Sequence, residues 1–139
     1  MIPDGLTICP SSHGSKVTAE RLVAAVTKRG MTILARIDHA AAAANVGMAL
    51  RPTEVLIFGN PRAGTPLMQA AQTIGIDLPL KALVWEDDRG KAWLAYDDPV
   101  WLARRHGATS GAERTLGAMT EALAAVAREA TAPSVGTTS

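Results

Sequence analysis

Aromatic side chains make up only 4% of this 139-residue chain: one Phe, one Tyr and three Trp. Ala, Val, Leu and Ile must therefore fill its interior, and the interleaving of aromatic and basic residues that reads nucleic-acid bases is missing. Charge of one sign is equally scarce. Fourteen basic and thirteen acidic residues give a formal net charge of +1 with no basic block or stripe, so nucleic acid is not an expected partner. Cysteine is reduced to Cys9, which excludes an internal disulfide and any multi-cysteine zinc or iron–sulfur site. A lone thiol suits a reducing compartment. No apolar run approaches the length of a membrane span, so no membrane association is expected. Met1-Ile2-Pro3-Asp4-Gly5 has no cationic stretch followed by an apolar one, as a secretory signal would, and the expected location is the cytoplasm.

What is present is an ordinary globular composition, 47% apolar, at a length that suits one domain and buries a core without a metal or disulfide staple. Leu6 to Cys9 reads as a first strand ended by Pro10. Ser15 is placed to cap a helix from Lys16 to Arg29, which Gly30 stops. Met31 to Ile37 alternates as a strand, and Asp38 caps an alanine-rich helix from His39 to Leu50. Its small residues predict close packing against another surface. Thr53 to Phe58 is the most apolar strand. Thr65 and Pro66 form a cap-plus-proline start for a third helix ending near Thr73. Strands at Leu80 to Trp85 and Lys91 to Tyr96 flank an Asp87-Asp88-Arg89-Gly90 turn. Asp98 and Pro99 repeat the helix-start signal, and Gly107 ends that helix. Ser110-Gly111-Ala112-Glu113 has the form of a capping box, opening an amphipathic helix to Ala130. The order predicts a two-layer α/β (α+β) sandwich: a mixed sheet with helices on one face, spanning residues 6–107. The helix over 110–130 reads as an appendage, and residues 131–139 as a disordered tail.

The loop Gly59-Asn60-Pro61-Arg62-Ala63-Gly64-Thr65-Pro66 leaves a strand and enters a helix. Its glycines allow a close backbone approach, free N–H groups at the helix start can bind an anion, and Arg62 adds a charge-assisted donor. Neither a P-loop nor a dinucleotide fingerprint is present, and a tight turn built for geometry alone explains the same residues. Asn60, Arg62, Gly64 and Thr65 are the candidate ligand-binding residues. His39 beside Asp38, together with Glu54 or Asp97, is the candidate acid–base set for the alternative of an enzyme, metal-assisted or not. For Asp38-His39 capping, and for Glu54 a strand-edge ion pair with Arg36 or Arg51, is the simpler account, while Asp97 is left over beside the Asp98 cap and is expected to face the same cleft as Glu54. His13, His39, His106 and Cys9 lie in separate segments without short ligand spacing, so no metal site and no cofactor can be assigned. His106 near a helix end is explained by the helix dipole. Cys9 in an apolar strand reads as an inert thiol. Trp85, Trp93, Trp101 and Tyr96 hold most of the aromatic area, as a cap on the core or as an interface.

Taken together, Ala35-Arg36-Ile37-Asp38-His39-Ala40-Ala41, Leu50-Arg51-Pro52-Thr53-Glu54, Phe58-Gly59-Asn60-Pro61 with Gly64-Thr65-Pro66, and Asp77-Leu78-Pro79-Leu80 resemble the bacterial and archaeal family called domain of unknown function 302. Val84-Trp85-Glu86-Asp87, Tyr96-Asp97-Asp98-Pro99 and Arg105-His106-Gly107 extend the resemblance over about residues 6–107. It implies a small two-layer α/β fold with an antiparallel-containing sheet, commonly a homodimer, and it implies no activity. Cys9-Pro10-Ser11-Ser12-His13 departs from the family pattern. The leading expectation is a homodimeric small-molecule or anion-binding protein. A protein-interaction module, working through the tryptophan hairpin or the C-terminal helix, is the third alternative.

Overall fold

A computed structural model describes residues 2–134. In chain order the elements are β1 (Leu6–Pro10), α1 (Ser15–Lys28), β2 (Thr32–Asp38), α2 (His39–Asn45), β3 (Thr53–Gly59) and α3 (Pro61–Ala70). A 3-10 turn over Gln72–Ile76 leads into β4 (Leu80–Glu86), β5 (Ala92–Asp97), α4 (Pro99–His106) and α5 (Glu113–Thr131).

The two-layer α/β architecture holds, and every strand pairing is antiparallel, in the order β1-β5-β4-β3-β2. The helical connections suggested parallel pairs, but their geometry prevents them. Helix α1 carries the chain from one sheet edge to the other, so β1 and β2 never meet. Helix α2 has seven residues and is about 10 Å long, too short to return the chain along β2 or β3, each about 23 Å. The expected helix to Leu50 stops at Asn45, and the chain turns through Gly47, which takes a positive φ of 76°.

Period-two alternation decides which sheet face is filled. Leu56 and Phe58 of β3, Leu80, Ala82 and Val84 of β4, and Leu94 of β5 all point inward and are buried. Leu22 and Val26 of α1 and Leu116, Leu123 and Val126 of α5 close over them. Ala19, Ala25, Ala127 and Ala130 are also buried, small enough for α1 and α5 to lie close together. With one Phe and one Tyr to spend, the chain packs its core by close approach rather than by large rings. Val55, Ile57, Leu83, Trp85 and Trp93 alternate to the opposite face and remain half-buried.

Helix α5 is thus an integral layer of the fold, which corrects the expected appendage over 110–130. Its start also differs, because Ala112 stands at the cap position without a side-chain cap hydrogen bond. Helix α3 begins earlier than Thr65. Asn60 Oδ1 accepts from the Arg62 N–H at 3.0 Å, Pro61 takes the first helical position, and Pro66 lies inside the helix. Asp38 and Asp98 cap α2 and α4 as the sequence implied, accepting from the Ala41 and Val100 N–H groups at 2.9 Å. Gly107 closes α4 at φ +67°. Of the tail expected over 131–139, Thr131 ends α5 and the Ala132 carbonyl accepts from His13 and Arg21. Residues 135–139 lie outside the described residues.

If α5 is a structural layer, removing one of its buried side chains must cost as much as a core truncation elsewhere. Leu123→Ala is expected to lower unfolding stability by about 2–5 kcal/mol in urea melts. A loss below about 0.5 kcal/mol, the usual size of a surface change, would mean that α5 contributes little.

Candidate functional site

The chain leaves β3 at Gly59 and re-enters order at once in α3. Beside this turn lies a hollow of about 710 Å³. Its walls are the start of β2 (Met31, Thr32, Leu34), the first turns of α3 and α5, and the segment Leu78-Pro79-Leu80 entering β4. Asn60, Arg62, Gly64 and Thr65, the four candidate binding residues, all line it.

The backbone here is less available than the sequence suggested. Pro61 has no N–H, Asn60 Oδ1 takes that of Arg62, and the Asn60 carbonyl takes those of Ala63 and Gly64 at 2.9 and 3.2 Å. One residue thereby satisfies the first turn of α3. Nor do the glycines provide unusual backbone shapes: neither Gly59 nor Gly64 has a positive φ, and a Cβ on Gly64 would meet Leu78 at an ordinary 3.6 Å. Recognition of an anion falls instead to side chains. Arg62 and Arg114, both exposed at the first turns of α3 and α5, line the hollow. Among the described residues neither guanidinium has a hydrogen-bond or ion-pair partner, and no carboxylate lines this hollow.

Glu54 lies five residues back along β3, about 16 Å from Gly59 at strand spacing. There Arg36 is held between Glu54 at 3.0 Å and Glu20 at 2.9 Å, and the hydrogen bonds of these two carboxylates keep its guanidinium firmly protonated. A second hollow of about 470 Å³ is lined by this cluster and by Asp38. His39 is exposed on the first turn of α2 at that same end of the sheet. Asp97 ends β5 opposite Leu6, two strands from β3, and lines neither hollow. His39 and Glu54 therefore share one end of the sheet, while Arg62 and Asn60 occupy the other.

The remaining soft ligands are spread apart. His13 contacts the Ala132 carbonyl at 2.7 Å, and burial pushes the Cys9 thiol up, away from the reactive thiolate. Among the described residues no group of three or more His, Cys, Asp or Glu is placed to hold a metal ion. His106 joins a cluster that sequence spacing does not show. Its Nε2 donates to Asp77 Oδ2 at 2.5 Å, and its Nδ1 meets Thr73 Oγ1 at 2.9 Å. Arg105 donates to both Asp77 oxygens at 2.8 and 3.0 Å. A carboxylate, an imidazole and a hydroxyl in line resemble a nucleophile relay. Here, however, Thr73 is exposed on the 3-10 turn and lines neither hollow, so the cluster fastens α4 to the segment preceding β4. At the hairpin, Asp87 ties the turn by accepting from the Arg89 and Lys91 N–H groups and from Trp93 Nε1. Trp85 and Trp93 stack at 6.5 Å between ring centres, and Trp101 lies against Gly5.

Burial raises the Asp77 carboxyl, but the hydrogen bond from His106 and the charge of Arg105 outweigh it and hold the group below its ordinary 3.8. A group depressed in the folded state contributes stability above its unfolded pKa and loses it as pH falls through the folded value. Asp77→Asn is thus expected to cost about 1–3 kcal/mol near neutrality through its lost charge-assisted bonds. The difference from the parent should narrow as pH falls below about 4 and close once it has passed through the folded value, in melts recorded across pH. A gap that persists unchanged at pH 2 would assign the cost to packing instead.

The profile of the domain of unknown function DUF302 matches residues 8–126. The chain is 44% identical over 130 residues to the fluoride-specific ion channel FluC 1 of Brucella suis biovar 1, covering 94% of this chain and 51% of that protein. The same identity relates it to FluC 1 of Brucella abortus biovar 1, of which it covers 48%. The chain spans about half the length of these relatives. No helix among its described residues is long and apolar enough to cross a membrane. In fold, the crystal structure of a conserved DUF302 protein from Bacillus stearothermophilus superposes with a TM-score of 0.81. That match covers 92% of this chain and 99% of the other at 19% identity.

Proposed function

The chain belongs to the DUF302 family, and on that footing we propose that it is a homodimeric binding domain whose small anionic ligand occupies the hollow between α3 and α5. The observation that carries this reading is that Arg62 and Arg114, neither partnered among the described residues, both line one hollow that no carboxylate of those residues lines. At about 710 Å³ the hollow falls within the range of small-molecule sites, about 300–1,000 Å³. The channel activity in the names of the Brucella proteins stays with those proteins, about half of whose length this chain spans. A lone, half-buried thiol whose pKa burial raises favours the cytoplasm.

The homodimer is supported by α2 and the turn after it. This helix buries none of its residues, and Val46, Met48 and Leu50 are 72%, 66% and 50% exposed. The close packing that its alanines call for is not met within one chain. Ile37, at the end of β2, is exposed as well. Several large apolar side chains exposed in neighbouring stretches of chain favour an interface over a free surface. The apolar stripe of α5, in contrast, is used up inside the core.

Two measurements address these claims. In a thermal-shift screen of inorganic phosphate, citrate, nucleotides and alkyl carboxylates, at least one probe should raise Tm, and Ala118→Trp, at the exposed rim of the hollow, should abolish the shift. No stabilisation by any probe, or a shift indifferent to Ala118→Trp, sinks the site. By light scattering the protein should show twice the chain mass, and Val46→Asp should reduce it to one chain. A parent that is monomeric at tens of micromolar, or an unmoved mass in the variant, removes the dimer.

A further inference from the structure

The lining of the hollow specifies the ligand more narrowly than its charge does. Three of the protein's five methionines, Met31, Met68 and Met119, converge on it, joined by Leu34, Leu78 and Leu80. No aromatic side chain lines it, so a nucleobase or other planar ring would find nothing to stack on. Methionine is unbranched and polarizable, and it moulds itself to flexible aliphatic shapes. The two charged groups of the lining, Arg62 and Arg114, lie on the first turns of α3 and α5.

Those first turns are an unfavourable place for cations. The N-terminus of a helix carries the positive end of its dipole, and acidic residues are stabilising there. Yet Arg62 is the second residue of α3 and Arg114 the second of α5, each on the wall of the same hollow and neither with a partner among the described residues. Two helix ends and two guanidinium groups thus place positive charge beside an apolar chamber, offset at α5 by Glu113, which shares the first turn with Arg114 but does not line the hollow. A bound anionic head group relieves this repulsion, and an aliphatic body fills the space behind it.

We infer that the hollow binds a linear aliphatic amphiphile with a single anionic head, its chain against Met31, Met68 and Met119 and its carboxylate or phosphate between Arg62 and Arg114. This rests on the binding site proposed above and names the chemical class of its ligand. Long side chains that already cover charge-free apolar surface need no rearrangement to admit such a chain, whereas a small hydrophilic anion would leave the methionine wall unoccupied. Binding is electrostatic at the mouth and hydrophobic inside, so it should weaken with added salt but not vanish.

The test is calorimetric titration of the full chain with acetate, octanoate, decanoate, decyl phosphate, decanol, inorganic phosphate and AMP. Affinity should rise from acetate to decanoate, and decanoate should exceed decanol. Arg62→Ala and Arg114→Ala should each weaken decanoate about tenfold while leaving decanol unchanged. Ala118→Trp should remove the binding of both. Decanoate and decyl phosphate compared side by side identify the preferred head group. Should AMP or inorganic phosphate bind in an Ala118-dependent manner while decanoate and decyl phosphate do not, the site stands and its aliphatic ligand is refuted. Should nothing bind at all, the site itself falls. Equal binding of decanoate by the parent and both arginine variants refutes the role of the two guanidinium groups.

Discussion

The sheet has two faces, and this chain supplies helices for one. From that single constraint the rest of the molecule follows. The inward side chains of β3, β4 and β5 are covered by α1 and α5, and there the largest buried residues collect. Because Ala19, Ala25, Ala127 and Ala130 let the two covering helices lie close, the roof is dense where they run together. It opens where α5 begins and α3 has to fill in, and the hollow lies at that opening, between the first turns of α3 and α5. The helix that contributes least to the roof, α2, is the one whose apolar surface stays uncovered.

Much of this was legible in the amino-acid order. Asp38 and Asp98 announced their helices because a cap is a local bargain between one side chain and the next turn of backbone, complete within a few residues. The hairpin at Asp87 was readable for the same reason. The same kind of signal also misled: Thr65-Pro66 fits a helix start, whereas α3 begins at Asn60-Pro61. Structure ranks the two starts, since beginning at Pro61 sets Leu67 into the core.

What eluded the sequence depends on contacts far apart in the chain. Nothing in the spacing of Thr73, Asp77 and His106 reveals that they meet, so His106 looked like a partner for a helix dipole. The apolar stripe of α5 was clear, but its destination was not: Leu116, Leu123 and Val126 fit an appended helix as well as a core layer. Antiparallel pairing throughout required knowing that α1 spans the sheet from edge to edge. The four loop candidates were found because turn and site coincide there, whereas His39, Glu54 and Asp97 were grouped by chemical type, and Asp97 fell apart from the other two.

Arg114 is the instructive omission. It lies outside the loop that drew attention, in a segment read as a capping box, and it became visible only when α5 brought it to the hollow. A signal was nonetheless present, because a cation in the first turn of a helix opposes the dipole and has to be compensated or tolerated. Arg62 carries the same anomaly once α3 is seen to start at Pro61. One such residue is unremarkable on a solvated surface, where its cost is a fraction of a kcal/mol, of order 0.3–1 kcal/mol. Two in the lining of one apolar hollow, with no carboxylate among its described residues, act on the same volume, and a single anion would offset both. The physical logic of the site therefore lies in the pairing of these two helix starts, more than in the turn that first pointed to it.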